Sequence, residues 1–223
     1  MGFTRRAMLT LSSLLCLALH VSAAPGAVHE DVPAAIDPSA RYLIYLHGRI
    51  VEMQGRQAVS PEFGRYEYDA ILQALASKGL VVISEVRGTD TGPAYAKKVA
   101  GQVRKLLAAG VPANHVTVAG FSKGALLARA ASAELGKPDV RFVIMAGCGP
   151  RAAQSIKAGA LKGRILSLYD QADAMAGSCR PLFATAPGLE SKEVRLTIGM
   201  GHGVFFTPRK EWIDLVADWA LRP

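Results

Sequence analysis

The absences narrow the reading first. Three cysteines among 223 residues are too few for a disulfide-dense scaffold. The formal net charge is +8, yet the basic residues form no run. The longest clusters are pairs such as Lys97-Lys98 and Arg104-Lys105. A nucleic-acid binder needs a basic stripe or patch, so no nucleic-acid partner is expected. The apolar run 7–19 is interrupted by Thr10, Ser12 and Ser13 and is too short to cross about 30 Å of hydrocarbon. No transmembrane segment is expected after processing. There is no internal repeat, no linker and no second domain.

The N-terminus reads as an address. Arg5 and Arg6 precede the apolar run, and the small residues around Ser22-Ala23 follow it. That is the order of an export signal, cut here after Ala23. The adjacent arginines leave a general secretory and a twin-arginine route equally open. The expected organisation is a signal peptide over 1–23, an irregular Pro-bearing arm over 24–40 and one domain over 41–223. Two cysteines survive maturation, Cys148 and Cys179. An even number in an oxidising compartment suggests a bridge, the alternative being two buried thiols.

From Arg41 onward, apolar β-branched segments alternate with helical ones. Strands are expected at 42–46, 80–84, 116–119, 141–145, 164–169 and 193–198. Helices are expected at 66–78, 92–109, 123–135 and 208–221, with shorter ones at 151–157 and 179–184. Continuously apolar strands fit a parallel sheet covered on both faces. The fold class is therefore α/β, doubly wound and mostly parallel, with ligands at the carboxyl ends of the strands.

The chemistry gathers at those ends. Gly120-Phe121-Ser122-Lys123-Gly124 lies between a strand and an Ala/Leu-rich helix. A G-x-S-x-G in that setting is a nucleophile elbow. The helix from Lys123 aims its free N–H groups at Ser122, where an oxyanion would be stabilised. A serine nucleophile needs a base. Of five histidines only His202 follows Ser122, in a glycine-rich loop after the last strand. An acid should orient it. Asp170 and Asp173 both follow the strand ending at Tyr169, whereas Glu190 and Glu193 lie at the start of the next strand. Residues alone leave the two aspartates open. Arg49, Glu85, Arg87, Asp90 and Lys123 also fall at strand ends. They form either a polar mouth or, more simply, mutual salt bridges.

Over 41–221 the chain resembles the α/β-hydrolase superfamily. Leu46-His47-Gly48, the Gly120–Gly124 motif, Asp173 and His202 carry the resemblance. The resemblance implies a three-layer sandwich and a Ser122–His202–Asp173 triad, with Asp170 as the fallback acid. It implies an oxyanion hole from the backbone N–H groups of Arg49 and Lys123, and no metal or cofactor. The family's first two antiparallel strands are not evident in 24–40, and the interval from Gly147 to Arg164 has no room for a lid domain. The expected activity is hydrolysis of an ester or related acyl bond on a small or polymer-linked substrate. The competing reading is an exported binding protein that keeps the fold without turnover.

Overall fold

The computed structural model describes residues 26–89, 92–150, 157 and 159–223. The export signal, Asp90 and most of the helix expected at 151–157 lie outside them. The sheet follows from the apolar segments. Its strands are β1 (Val28–His29), β2 (Tyr42–Leu46), β5 (Val81–Ile83), β6 (Val116–Phe121), β7 (Arg141–Met145), β8 (Arg164–Asp170) and β9 (Ser191–Leu196). They run in the order β1-β5-β2-β6-β7-β8-β9, and every neighbouring pair is parallel. A separate antiparallel hairpin joins β3 (Val59–Ser60) to β4 (Gly64–Arg65).

Alternation along β2 shows how the layers form. Tyr42, Ile44 and Leu46 face a core that includes Val99 and Val103 of α3 (Pro93–Ala108) and Ala125 and Ala128 of α4 (Lys123–Leu135). Leu43 and Tyr45 face the opposite core, with Ile71 and Leu75 of α2 (Tyr68–Ala76) and Trp212 and Val216 of α6 (Lys210–Leu221). Strands buried on both faces need helices on both sides, and the chain supplies them alternately. Two further short α-helices lie among the described residues, α1 (Arg49–Gln54) and α5 (Arg180–Phe183). No helix among the described residues is long and apolar enough to cross a membrane.

Several details differ from expectation. The arm is not wholly irregular, because Val28 and His29 pair with Val82 and Ile83 at the sheet edge. The helix expected from Tyr66 starts at Tyr68, since Glu67 has the non-helical backbone angles φ -82° and ψ 61°. The last strand ends at Leu196 rather than at Ile198. Its next amides turn away, with Ile198 N–H donating to the Asp170 carboxylate.

The topology locates the site. After β2 the chain crosses to β5 on one side, returns to β6 beside β2, and then builds β7, β8 and β9 on the other side. The order reverses between β2 and β6, so a crevice opens where their carboxyl ends meet. Leu46 pairs there with Gly120. Arg49 and Ser122 follow directly.

Candidate active site

The elbow is built from close approaches that only glycine allows. A Cβ on Gly120 would lie 2.2 Å from the Gly124 carbonyl oxygen, and one on Gly124 would lie 1.9 Å from the Leu46 oxygen. With side chains there, β6 could not turn into α4 beside β2. Ser122 absorbs the turn at φ 53°, a conformation most residues avoid. Such strain persists only where its surroundings enforce it, and it gathers at functional sites. Here Ser122 N–H is fixed on the Met145 carbonyl and its own carbonyl accepts from Ala125 N–H, both at 2.9 Å.

The other two members arrive from neighbouring strand ends. His202 Nε2 lies 2.9 Å from Ser122 Oγ, and His202 Nδ1 lies 2.9 Å from Asp173 Oδ2. The imidazole packs on Phe121, with ring centroids 4.9 Å apart, and on Phe63 at 6.1 Å. Phe63 therefore walls the site, whereas Tyr66 and Tyr68 belong to the core. Burial pushes the Asp173 carboxyl up. The His202 hydrogen bond and charge, with the N–H groups of Met175 and Ala176, outweigh it and hold the group below its ordinary range. Asp173 thus keeps its charge opposite the imidazole.

The His202 ring bonds Asp173 and Ser122, not Asp170. Fully buried, Asp170 accepts from the backbone N–H groups of Ala172, Ile198, Gly199 and Gly201. It stitches the acid loop to the histidine loop. The Cys148–Cys179 disulfide, with Cα atoms 5.2 Å apart, fastens the acid loop to the end of β7. Gly177 N–H adds a bond to the Cys148 carbonyl.

A cleft of ≈ 410 Å³ lies over Ser122 and His202. Arg49, Leu126, Ala146, Met175 and Ala176 are among the residues lining it. Neither Arg49 N–H nor Lys123 N–H meets a backbone carbonyl among the described residues. Of the strand-end charges, Lys123, Arg87 and Glu85 are paired, the simpler of the two readings, though with Glu52, Lys98 and Tyr95 rather than with one another. Lys123 Nζ is 2.5 Å from Glu52, Arg87 Nε is 2.6 Å from the same carboxylate, and Glu85 bonds Lys98 and Tyr95. Glu52 is the functional-region residue that sequence reasoning missed. Its partners are 35 and 71 residues away, so no local spacing could reveal them. Among the described residues no group of His, Cys, Asp and Glu is arranged to hold a metal ion.

The seven-stranded parallel sheet with helices on both faces is shared with many solved structures. The chain has the α/β-hydrolase fold. One similar structure is 2,6-dihydroxy-pseudo-oxynicotine hydrolase, with TM-score 0.55 and 13% identity over 85% of this chain. The chain spans only 63% of that protein. A putative dienelactone hydrolase from Klebsiella pneumoniae matches with TM-score 0.54 and 16% identity, over 85% of this chain and 90% of its own. Arabidopsis thaliana SOBER1 matches with TM-score 0.54 and 15% identity, over 82% and 98%. At such identities the likeness concerns the α/β-hydrolase fold alone. No protein-family model matches the sequence, and no curated protein does.

Proposed function

We propose that the protein is a serine hydrolase that cleaves a carboxylic ester or related acyl bond. One observation carries the reading: Ser122, His202 and Asp173 form an unbroken hydrogen-bonded chain, 2.9 Å at each link, under a cleft. In this reading Ser122 Oγ attacks the acyl carbon while His202 Nε2 takes its proton. The carbonyl oxygen becomes an oxyanion held by the Arg49 and Lys123 N–H groups. Collapse breaks the bond to the leaving group, which departs with the proton from His202. Water, deprotonated by His202, then attacks the acyl-serine and releases the acid. No step draws on a metal or cofactor. The decisive test is labelling by a fluorophosphonate probe, expected in wild type and absent in Ser122→Ala. Folded wild type that does not label overturns the proposal. A Ser122–His202 separation beyond hydrogen-bond reach would have favoured the non-catalytic alternative, and their 2.9 Å contact does not.

The cleft favours an apolar acyl or alkyl group. Leu126 and Met175 present 50% and 63% of their surfaces beside Ser122. Covering them gains about 0.8 kcal/mol per methylene, or about fourfold in kcat/KM per added carbon over the first few. Leu126→Asp is expected to flatten that chain-length series while sparing the acetyl ester. An unchanged slope on a graded ester panel would place the acyl group elsewhere.

Export completes the proposal. The disulfide supports an oxidising compartment, periplasmic or secreted. Sequencing of the mature N-terminus is expected to start at Ala24, and a mature chain retaining Arg5 and Arg6 would refute removal of the signal.

A further inference from the structure

Glu52 sits in α1 with its side chain only 1% exposed. A buried carboxylate is costly unless charge and hydrogen bonds compensate it. Two cations do so here. Arg87 Nε approaches one oxygen at 2.6 Å and Lys123 Nζ the other at 2.5 Å. Arg87 is as buried as Glu52, while Lys123 is 28% exposed.

Each cation leads to one side of the cleft. Lys123 follows the serine and carries one N–H proposed for the oxyanion. Its ammonium is turned onto Glu52 and the Thr89 carbonyl, so it is engaged away from the substrate. Arg87 grips the other segment twice. Its Nη2 donates to the His47 carbonyl, and its backbone N–H donates to His47 Nε2 at 3.1 Å. With Nε2 accepting, the neutral imidazole carries its proton on Nδ1, which donates to the Gly48 carbonyl at 2.9 Å. The Gly48–Arg49 peptide, source of the other N–H, is thereby held. Gly48 also abuts Phe121, and a Cβ there would meet that ring at 3.0 Å.

We propose that Glu52 is a positioning residue that sets the separation of the Arg49 and Lys123 N–H groups. The inference rests on the serine-hydrolase reading, and Glu52 touches no reacting atom. A buried ion cluster is a poor source of net stability, because well-packed apolar residues often replace one at no loss. What this cluster adds is a fixed distance between two chain segments, in a region where small displacements of donors cost rate.

The test compares wild type, Glu52→Gln and Lys123→Met. The second variant keeps its backbone N–H and changes a partly exposed side chain. End-point fluorophosphonate labelling counts the folded sites, so kcat is expressed per site. Affinity for an alkyl boronic acid reports binding of a tetrahedral adduct. For Glu52→Gln the expected result is kcat per site lower by about 10- to 100-fold. KM should stay within about threefold, and boronate affinity should fall in parallel with kcat/KM. Lys123→Met should show the same split at about tenfold. Fewer labelled sites with unchanged kcat per site would reduce Glu52 to a structural role and overturn the inference. If Glu52→Gln does not fold, Lys123→Met decides alone, and unchanged kcat and boronate affinity in it overturn the inference. Failure of wild type to label is a separate outcome, in which the hydrolase reading falls and takes this inference with it.

Discussion

Ser122→Ala is expected to lower kcat for ester hydrolysis by about 10⁴- to 10⁶-fold, with the fold intact. Alanine meets the same backbone demand at φ 53° and removes only the oxygen that faces His202. Asp173→Asn is expected to cost about 10⁴-fold for a different reason. The N–H groups of Met175 and Ala176 both point at Oδ1. An asparagine would keep its carbonyl oxygen there and turn its NH₂ toward His202 Nδ1. That donor forces the imidazole proton onto Nε2, where it can no longer accept from Ser122. The geometry survives while the tautomer is wrong. Steady-state kinetics on the best ester substrate measures both variants. An Asp173→Asn enzyme within tenfold of wild type would remove Asp173 from the mechanism. Residual activity in Ser122→Ala above that level would point to another nucleophile.

Acidification is expected to destabilise the protein well before its carboxylates titrate. His47 is fully buried, and burial first, then the Arg87 charge, lowers its pKa to about 3 against 6.5 ordinarily. Hydrogen bonds to the Gly48 and Glu85 backbone work the other way without prevailing. Between those two values the unfolded chain binds a proton that the folded chain refuses. The stabilisation is complete above pH 6.5 and is lost as pH falls toward 3. The slope approaches about 1.4 kcal/mol per pH unit, and the whole window is worth on the order of 5 kcal/mol. His115, also lowered chiefly by burial, acts in the same direction. The depressed carboxyls of Asp31 and Asp173 lose their contribution only below their ordinary value of 3.8. Urea unfolding at pH 6.5, 5.5 and 4.5 therefore isolates the histidines. His47→Gln should be less stable at pH 7 yet show a shallower slope. An identical slope in that variant would mean that His47 is not the group concerned.

The parts of this protein that were legible in its sequence are those governed by short-range pattern. The elements Lys123–Leu135 and Arg141–Met145 fall where periodicity puts them, because Gly136 closes the helix in a left-handed cap and the strand is apolar throughout. Ser122 and His202 were legible because glycines mark the backbone around them. Asp173 and Asp170 were not separable from residue type alone. What separates them is what each carboxylate meets in the loop some 30 residues on, the His202 ring for Asp173 and the Ile198, Gly199 and Gly201 N–H groups for Asp170. Helix α1 escaped notice because it has six residues and one fully buried apolar side chain, Val51. A stripe cannot be read from one turn and a half. The hairpin of β3 and β4 escaped for the same reason, with two residues per strand. Glu52 lies in that stretch, so the ion cluster went unseen with it.

Asp170 has a mechanical consequence. Its carboxylate binds one amide of the acid loop and three of the histidine loop. Those two loops are thereby coupled into one body that carries both Asp173 and His202. The serine belongs to another body, the rigid turn between β6 and α4. A shift of one body against the other would therefore fall on the gap between His202 and Ser122 sooner than on the His202–Asp173 separation. In the proposed mechanism the proton-accepting pair is then a preset tool, and its approach to the serine oxygen is the separation left to vary.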